Sequence, residues 1–120
     1  MAYDPNNIFA RILRGEIPCK KVYEDDHTLA FHDINPAAPV HVLVIPKGAY
    51  ESMEDFGANA SDAEIAALFR AVRKVAGLTG LADSGWRMLA NTGADGHQEV
   101  PHLHIHLFGG RKLGPMLART

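Results

Sequence analysis

Three of the chain's seven histidines fall within the five residues His102-Leu103-His104-Ile105-His106. A strand alternates its side chains, so the three imidazoles are expected on one face, about 6.6 Å apart at a rise of about 3.3 Å per residue. Leu103, Ile105 and Leu107 then take the other face and bury. Imidazole changes protonation near neutral pH. One neutral ring can attack a phosphorus centre, while its neighbours supply protons and offset charge on non-bridging oxygens. His104 is flanked on both sides and is the best nucleophile, provided an acceptor such as a backbone carbonyl fixes its tautomer. His41, at the head of another apolar run, could join the three. The rival chemistry is a zinc site, because two same-face histidines can reach one metal. Neither a cysteine pair nor a His-Glu-x-x-His segment supplies companion ligands.

These residues need elements to position them. Asp4 and Pro5 read as an N-cap and first helical position, Gly15 as a stop, and Ile8, Phe9, Ile12 and Leu13 recur at helical spacing between them. Segments 20–24 and 28–33 flank Asp25-Asp26-His27 as a hairpin. Asn35-Pro36-Ala37-Ala38-Pro39 is a proline-marked loop, and His41-Val42-Leu43-Val44-Ile45 reads as a central strand closed by Pro46. Ser61 and Glu64 form a capping box ahead of the stripe Ile65, Leu68, Phe69, Val72, Val75, which runs to Gly77. Residues 86–91 read as a strand, 92–97 as a loop, and 102–108 as the last strand. Five strands with one long and one short helix predict an α+β fold with an antiparallel sheet.

Composition narrows the function classes. The 120 residues suit a single domain, 1–120, and are 47% hydrophobic and 22% charged. Net charge is −2 from 12 basic and 14 acidic residues mixed along the chain, which argues against nucleic acid as a partner. The one cysteine, Cys19, forms no internal disulfide and is expected to be a small packed or exposed thiol. No apolar run approaches the ~18 residues of a membrane span and no signal peptide is visible, so the expected location is cytoplasmic, away from membranes.

The segment His102-Leu-His-Ile-His-Leu-Phe108 resembles the signature of the histidine triad family, His-φ-His-φ-His-φ-φ with φ apolar. The likeness continues through residues 8–18, 22–26, 30–34 and 39–47, then Asn91-Thr-Gly93, Gln98-Glu-Val100 and Gly109-Gly-Arg111. Over roughly residues 8–117 the chain is similar to the Hint branch. That resemblance implies an α+β fold and a homodimer whose sheets join. It also implies hydrolysis of purine nucleoside 5′-phosphoramidates and related adenylates through a covalent nucleotidyl-histidine, with neither cofactor nor metal. By the resemblance, His104 is the nucleophile and the His102 carbonyl orients its ring. His106 contacts the phosphate and leaving group, and His41 pairs with His102. Asp33 accepts from the ribose hydroxyls, Ile34 and Phe9 line the base pocket, and Asn91, Gln98, Glu99 and Val100 form the phosphate edge.

Plainer roles stand beside these. Asp33 could cap a turn before Pro36, Asn91 and Gln98 could be loop residues, and Ile34 and Phe9 could be core. His27, His32 and His97 are expected at the surface, and Trp86 at a sheet edge. Glu99 stands where many Hint relatives carry serine, and the tail 112–120 lacks the tryptophan of some relatives, so leaving-group preference stays open. The alternatives are a dinucleoside polyphosphate hydrolase or a nucleotide-binding regulatory protein.

Overall fold

Alternation along two central strands decides which side of the sheet is dry. The computed structural model describes residues 2–117, so residues 118–120 of the tail lie outside the described residues. Its elements are α1 (Ile8–Leu13), β1 (Lys21–Glu24), β2 (Thr28–His32), β3 (Val40–Pro46), α2 (Met53–Asn59), α3 (Asp62–Leu78), β4 (Arg87–Ala90) and β5 (Ile105–Gly109). The strands form one antiparallel sheet in the order β1-β2-β3-β5-β4. The α+β expectation holds. Among the described residues no helix is long and apolar enough to cross a membrane.

Val42 and Val44 of β3 and Ile105 and Leu107 of β5 turn one way. They pack with Leu68, Ala71, Val72 and Val75 of α3 and with Phe56 of α2. The capping box starts α3: the Ser61 hydroxyl accepts from Glu64 N–H and the Glu64 carboxylate from Ser61 N–H, each at 3.1 Å. Of the predicted stripe, Phe69 is exposed rather than buried, because it falls off the α3 face that meets the sheet. Leu43 and Ile45, between the valines, face the other way and pack with Leu29, Phe31 and Phe9 under α1.

Four expectations are corrected. The first helix is capped by Asn7, whose side chain accepts from Ala10 N–H at 2.9 Å; Asp4 instead accepts from Asn6 N–H, within the turn before it. The C-terminal stop of α3 lies past Gly77, at Thr79. Among the described residues there are two short helices, α2 being capped by Ser52 with Glu54 and Asp55 in its first turn. The last strand begins at Ile105 and not at His102. Ile105 is the final residue paired to both neighbours, opposite Val44 and Ala90. Before it the chain leaves the sheet: Leu103 N–H donates to the Tyr50 carbonyl and Pro101 has no N–H to give.

Candidate active site

On the α1 face, β3 and β5 present His41 and His106, and the segment before β5 adds His104. These three line a cleft of about 500 Å³, a size suited to a small ligand. Phe9, Ile17, Phe31 and Leu43 form its apolar wall, and Asp33, Asn91 and Glu99 stand on its polar side. Ile34 and Val100 also border it, Ile34 at 87% exposure on the rim. His102 does not border the cleft. It is wholly buried behind it, because its segment has left the strand alternation that would have turned it outward.

Obligate donors and acceptors assign each ring's proton. A carbonyl can only accept, so the 2.8 Å contact from His104 Nδ1 to the His102 carbonyl puts the His104 proton on Nδ1. Nε2 of His104 keeps its lone pair. His102 Nε2 donates to the Pro46 carbonyl at 2.9 Å, and its Nδ1 accepts from the Tyr3 hydroxyl at 2.6 Å. Ala37 N–H donates to His41 Nδ1 at 3.0 Å, which leaves the His41 proton on Nε2. That proton faces His106 Nδ1 at 2.9 Å and Asp33 Oδ2 at 3.4 Å. His106 therefore accepts at Nδ1 and carries its own proton on Nε2.

The expected pairing of His41 with His102 is thus corrected: His41 bonds His106. Residue 41 lies opposite Phe108 in the ladder, so its ring lands beside position 106, whereas position 102 is beyond the ladder's end. Phe108 stacks parallel to His106 at 5.6 Å and lies 4.3 Å from His41. Phe9 meets the His104 ring edge-on at 4.9 Å.

Burial is the largest influence on all four rings and lowers each pKa from the usual imidazole value. His106 falls furthest, to about 4, because His104 and His41 oppose a second charge there. Asp33 and Glu99 work the other way on His104 and His106 but do not prevail. At neutral pH the cleft presents neutral rings with fixed tautomers.

Asp33 divides its carboxylate between a turn and the cleft. One oxygen accepts from Asn35 N–H at 2.8 Å in a turn before Pro36, while the other faces His41. Asn91 donates to the Gly96 carbonyl at 2.6 Å, tying down the loop at the cleft's edge. A Cβ on Gly96 would collide with the Thr92 backbone, so the loop closes this tightly only with glycine. Gln98 does not line the cleft. Its amide donates to the carbonyls of Glu51 (2.6 Å) and Val100 (3.0 Å) and accepts from Gly93 N–H (3.2 Å), so it clamps three segments together. Glu99 is three-quarters exposed and pairs with His97 at 2.9 Å.

Asp33, His41 and His106 could each offer one donor atom to a metal, all within 4.8 Å of one another. An ion there would displace the single proton held between the two rings. Sequence reasoning missed Tyr3, the Ala37 N–H and the Pro46 carbonyl. The last two are backbone groups without a sequence signal, and Tyr3 is 99 positions from the ring it touches.

Comparison with known proteins places this geometry in a family. Residues 14–113 match the HIT domain. The chain is 68% identical over 117 residues to a HIT-like protein of Azospirillum brasilense, covering 98% of this chain and 96% of that one. It is 45% identical over 111 residues to the purine nucleoside phosphoramidase of Escherichia coli K12, covering 92% of each. Among solved structures, a HIT family hydrolase from Clostridium thermocellum superposes with a TM-score of 0.86 at 41% identity, covering 94% of this chain and 97% of that one.

Proposed function

The chain belongs to the HIT domain family, and from that premise we propose that it hydrolyses purine nucleoside 5′-phosphoramidates and related adenylates to the nucleoside monophosphate. The observation that carries this reading is the 2.8 Å bond from His104 Nδ1 to the His102 carbonyl, which commits the Nε2 lone pair of a cleft-lining ring to attack. The similarity to a purine nucleoside phosphoramidase supports the substrate class.

In the proposed reaction the purine lies against Phe9, Phe31 and Ile34, and the ribose hydroxyls donate to Asp33 Oδ2. His104 Nε2 attacks the α-phosphorus and the P–N bond breaks. An arriving phosphate anion favours a second proton on His106, counteracting the burial that keeps the free ring neutral. That proton enters at Nδ1, and the His41 Nε2–H turns to its second acceptor, Asp33 Oδ2. His106 Nε2–H then protonates the departing nitrogen. The lone pair left on Nε2 later takes a proton from water as that water attacks phosphorus, frees the nucleotide and restores His104. Asn91 and the backbone at Glu99 and Val100 hold the non-bridging oxygens.

The homodimer belongs to the same proposal. β4 is an edge strand with Met88 and Leu89 exposed, which suits edge-to-edge joining of two copies. Purified protein is expected to release AMP from adenosine 5′-phosphoramidate in the presence of EDTA, and much faster than it cleaves a diadenosine polyphosphate. Faster cleavage of the polyphosphate, or no turnover of either, would overturn the assignment.

A further inference from the structure

Tyr3 lies in the segment before α1, yet its hydroxyl reaches 2.6 Å from Nδ1 of His102. The two rings meet edge-on, 5.7 Å apart at 71°. On its far side the same imidazole donates to the Pro46 carbonyl at 2.9 Å, so both nitrogens of a wholly buried ring are held. His102 also owns the carbonyl that assigns the proton of His104. This stretch has no ladder partners: among the described residues its backbone ties are His102 N–H to the Val100 carbonyl and Leu103 N–H to the Tyr50 carbonyl. The His102 ring is therefore a main anchor for the direction of its own carbonyl.

We propose that Tyr3 is a positioning residue for the reaction, its hydroxyl proton locking the His102 ring so that the His102 carbonyl keeps His104 in the Nδ1–H tautomer. With Pro46 alone, the ring pivots about one hydrogen bond and leaves a buried lone pair without a donor. Burial makes that vacancy costly, and the cheapest remedy is to turn the ring, which moves the carbonyl with it. His104 then samples the Nε2–H tautomer, in which no lone pair faces the cleft. A packing role for Tyr3 would act through the ring alone, and Tyr3→Phe retains the ring.

This inference rests on His104 being the attacking group, so the test has one arm that needs no substrate. Nitrogen-15 NMR of the native protein is expected to show His102 protonated only at Nε2, its Nδ1 hydrogen-bonded, and His104 protonated only at Nδ1. A native His102 carrying its proton on Nδ1 would overturn the proposal whatever the enzyme hydrolyses. In Tyr3→Phe, the His102 Nδ1 resonance is expected to move toward that of an unbonded nitrogen, and His104 to show a mixture of tautomers. With the phosphoramidate, kcat should fall about tenfold while KM stays within about twofold, the signature of a lost hydrogen bond that organises the attacking atom. Unchanged His102 and His104 resonances with an unchanged kcat would reduce Tyr3 to packing. If the native protein fails to turn over the phosphoramidate, the hydrolase reading falls while the nitrogen spectra still decide Tyr3's role.

Discussion

The two faces of the central strands use the same backbone for opposite ends. Val42, Val44, Ile105 and Leu107 point toward α3 and are at most 2% exposed, held by burial alone. His41 and His106 occupy alternate positions on those strands and point toward the cleft, where each ring nitrogen with a protein partner has its proton fixed by it. The α3 face tolerates any apolar groups of the right volume, since the hydrophobic effect is not directional. The histidine face depends on direction, since one wrong proton removes the lone pair. Stability and chemistry are thus assigned to alternate residues and can be damaged separately.

That separation predicts a reciprocal pair of outcomes. His104→Ala is expected to cost at least about 10⁴-fold in phosphoramidate turnover, because it removes the attacking atom. Its unfolding free energy should fall by only about 1 kcal/mol: the ring is buried, but it lies against the cleft rather than in the core, and its one protein hydrogen bond is to the His102 carbonyl. Leu107→Ala, three residues away on the buried face, should cost about 2–5 kcal/mol of stability by denaturant unfolding. Its folded fraction should keep kcat within a few-fold. Comparable loss of stability in both variants would mean that the faces are not separable.

A smaller effect follows from the depressed imidazoles. His106 titrates near 4 in the folded state and near 6.5 when unfolded. The unfolded chain therefore binds more protons between those values, and stability must fall as pH drops from about 6.5 toward 4. Above that window this contribution is complete. Thermal unfolding across the range is expected to show the loss, with a shallower slope in His106→Asn. An identical slope in the variant would mean that other groups carry the dependence.

The smallest effect belongs to the rim. Glu99 is exposed and its field is screened by solvent and salt. Glu99→Ser should lower KM about two- to fivefold for substrates with an anionic leaving group and leave kcat nearly unchanged, the difference shrinking as salt rises. A large kcat change would bring Glu99 into the chemistry.

Local signals were the most legible. The Ser61–Glu64 capping box, the α3 stripe and the β1–β2 hairpin each lie within a few consecutive residues, so the sequence displays them directly. Non-local pairing was not legible. The alternation from His102 to His106 looks like one strand, but the ladder ends at Ile105: β4 stops at Ala90, and although β3 runs on to Pro46 the chain leaves it, Leu103 N–H donating to the Tyr50 carbonyl instead. His102 consequently turns inward, and the partner of His41 becomes His106. The helix α2 escaped notice because it buries one apolar side chain, Phe56, too few to make a stripe. Phe9, Asp33, Asn91 and Glu99 of the cleft could be named from the family likeness, whereas Ile17, Phe31 and Leu43 join its wall, and Gln98 clamps three segments, only once the fold brings them together.

The most direct test of the central claim is to quench a single turnover at alkaline pH, digest the protein and locate the labelled nucleotide by mass spectrometry. A nucleoside monophosphate on the peptide bearing His104, forming and decaying at rates that account for turnover, is the predicted result. Product formed with no nucleotide on the protein at any time, or nucleotide attached to a different residue, would contradict it.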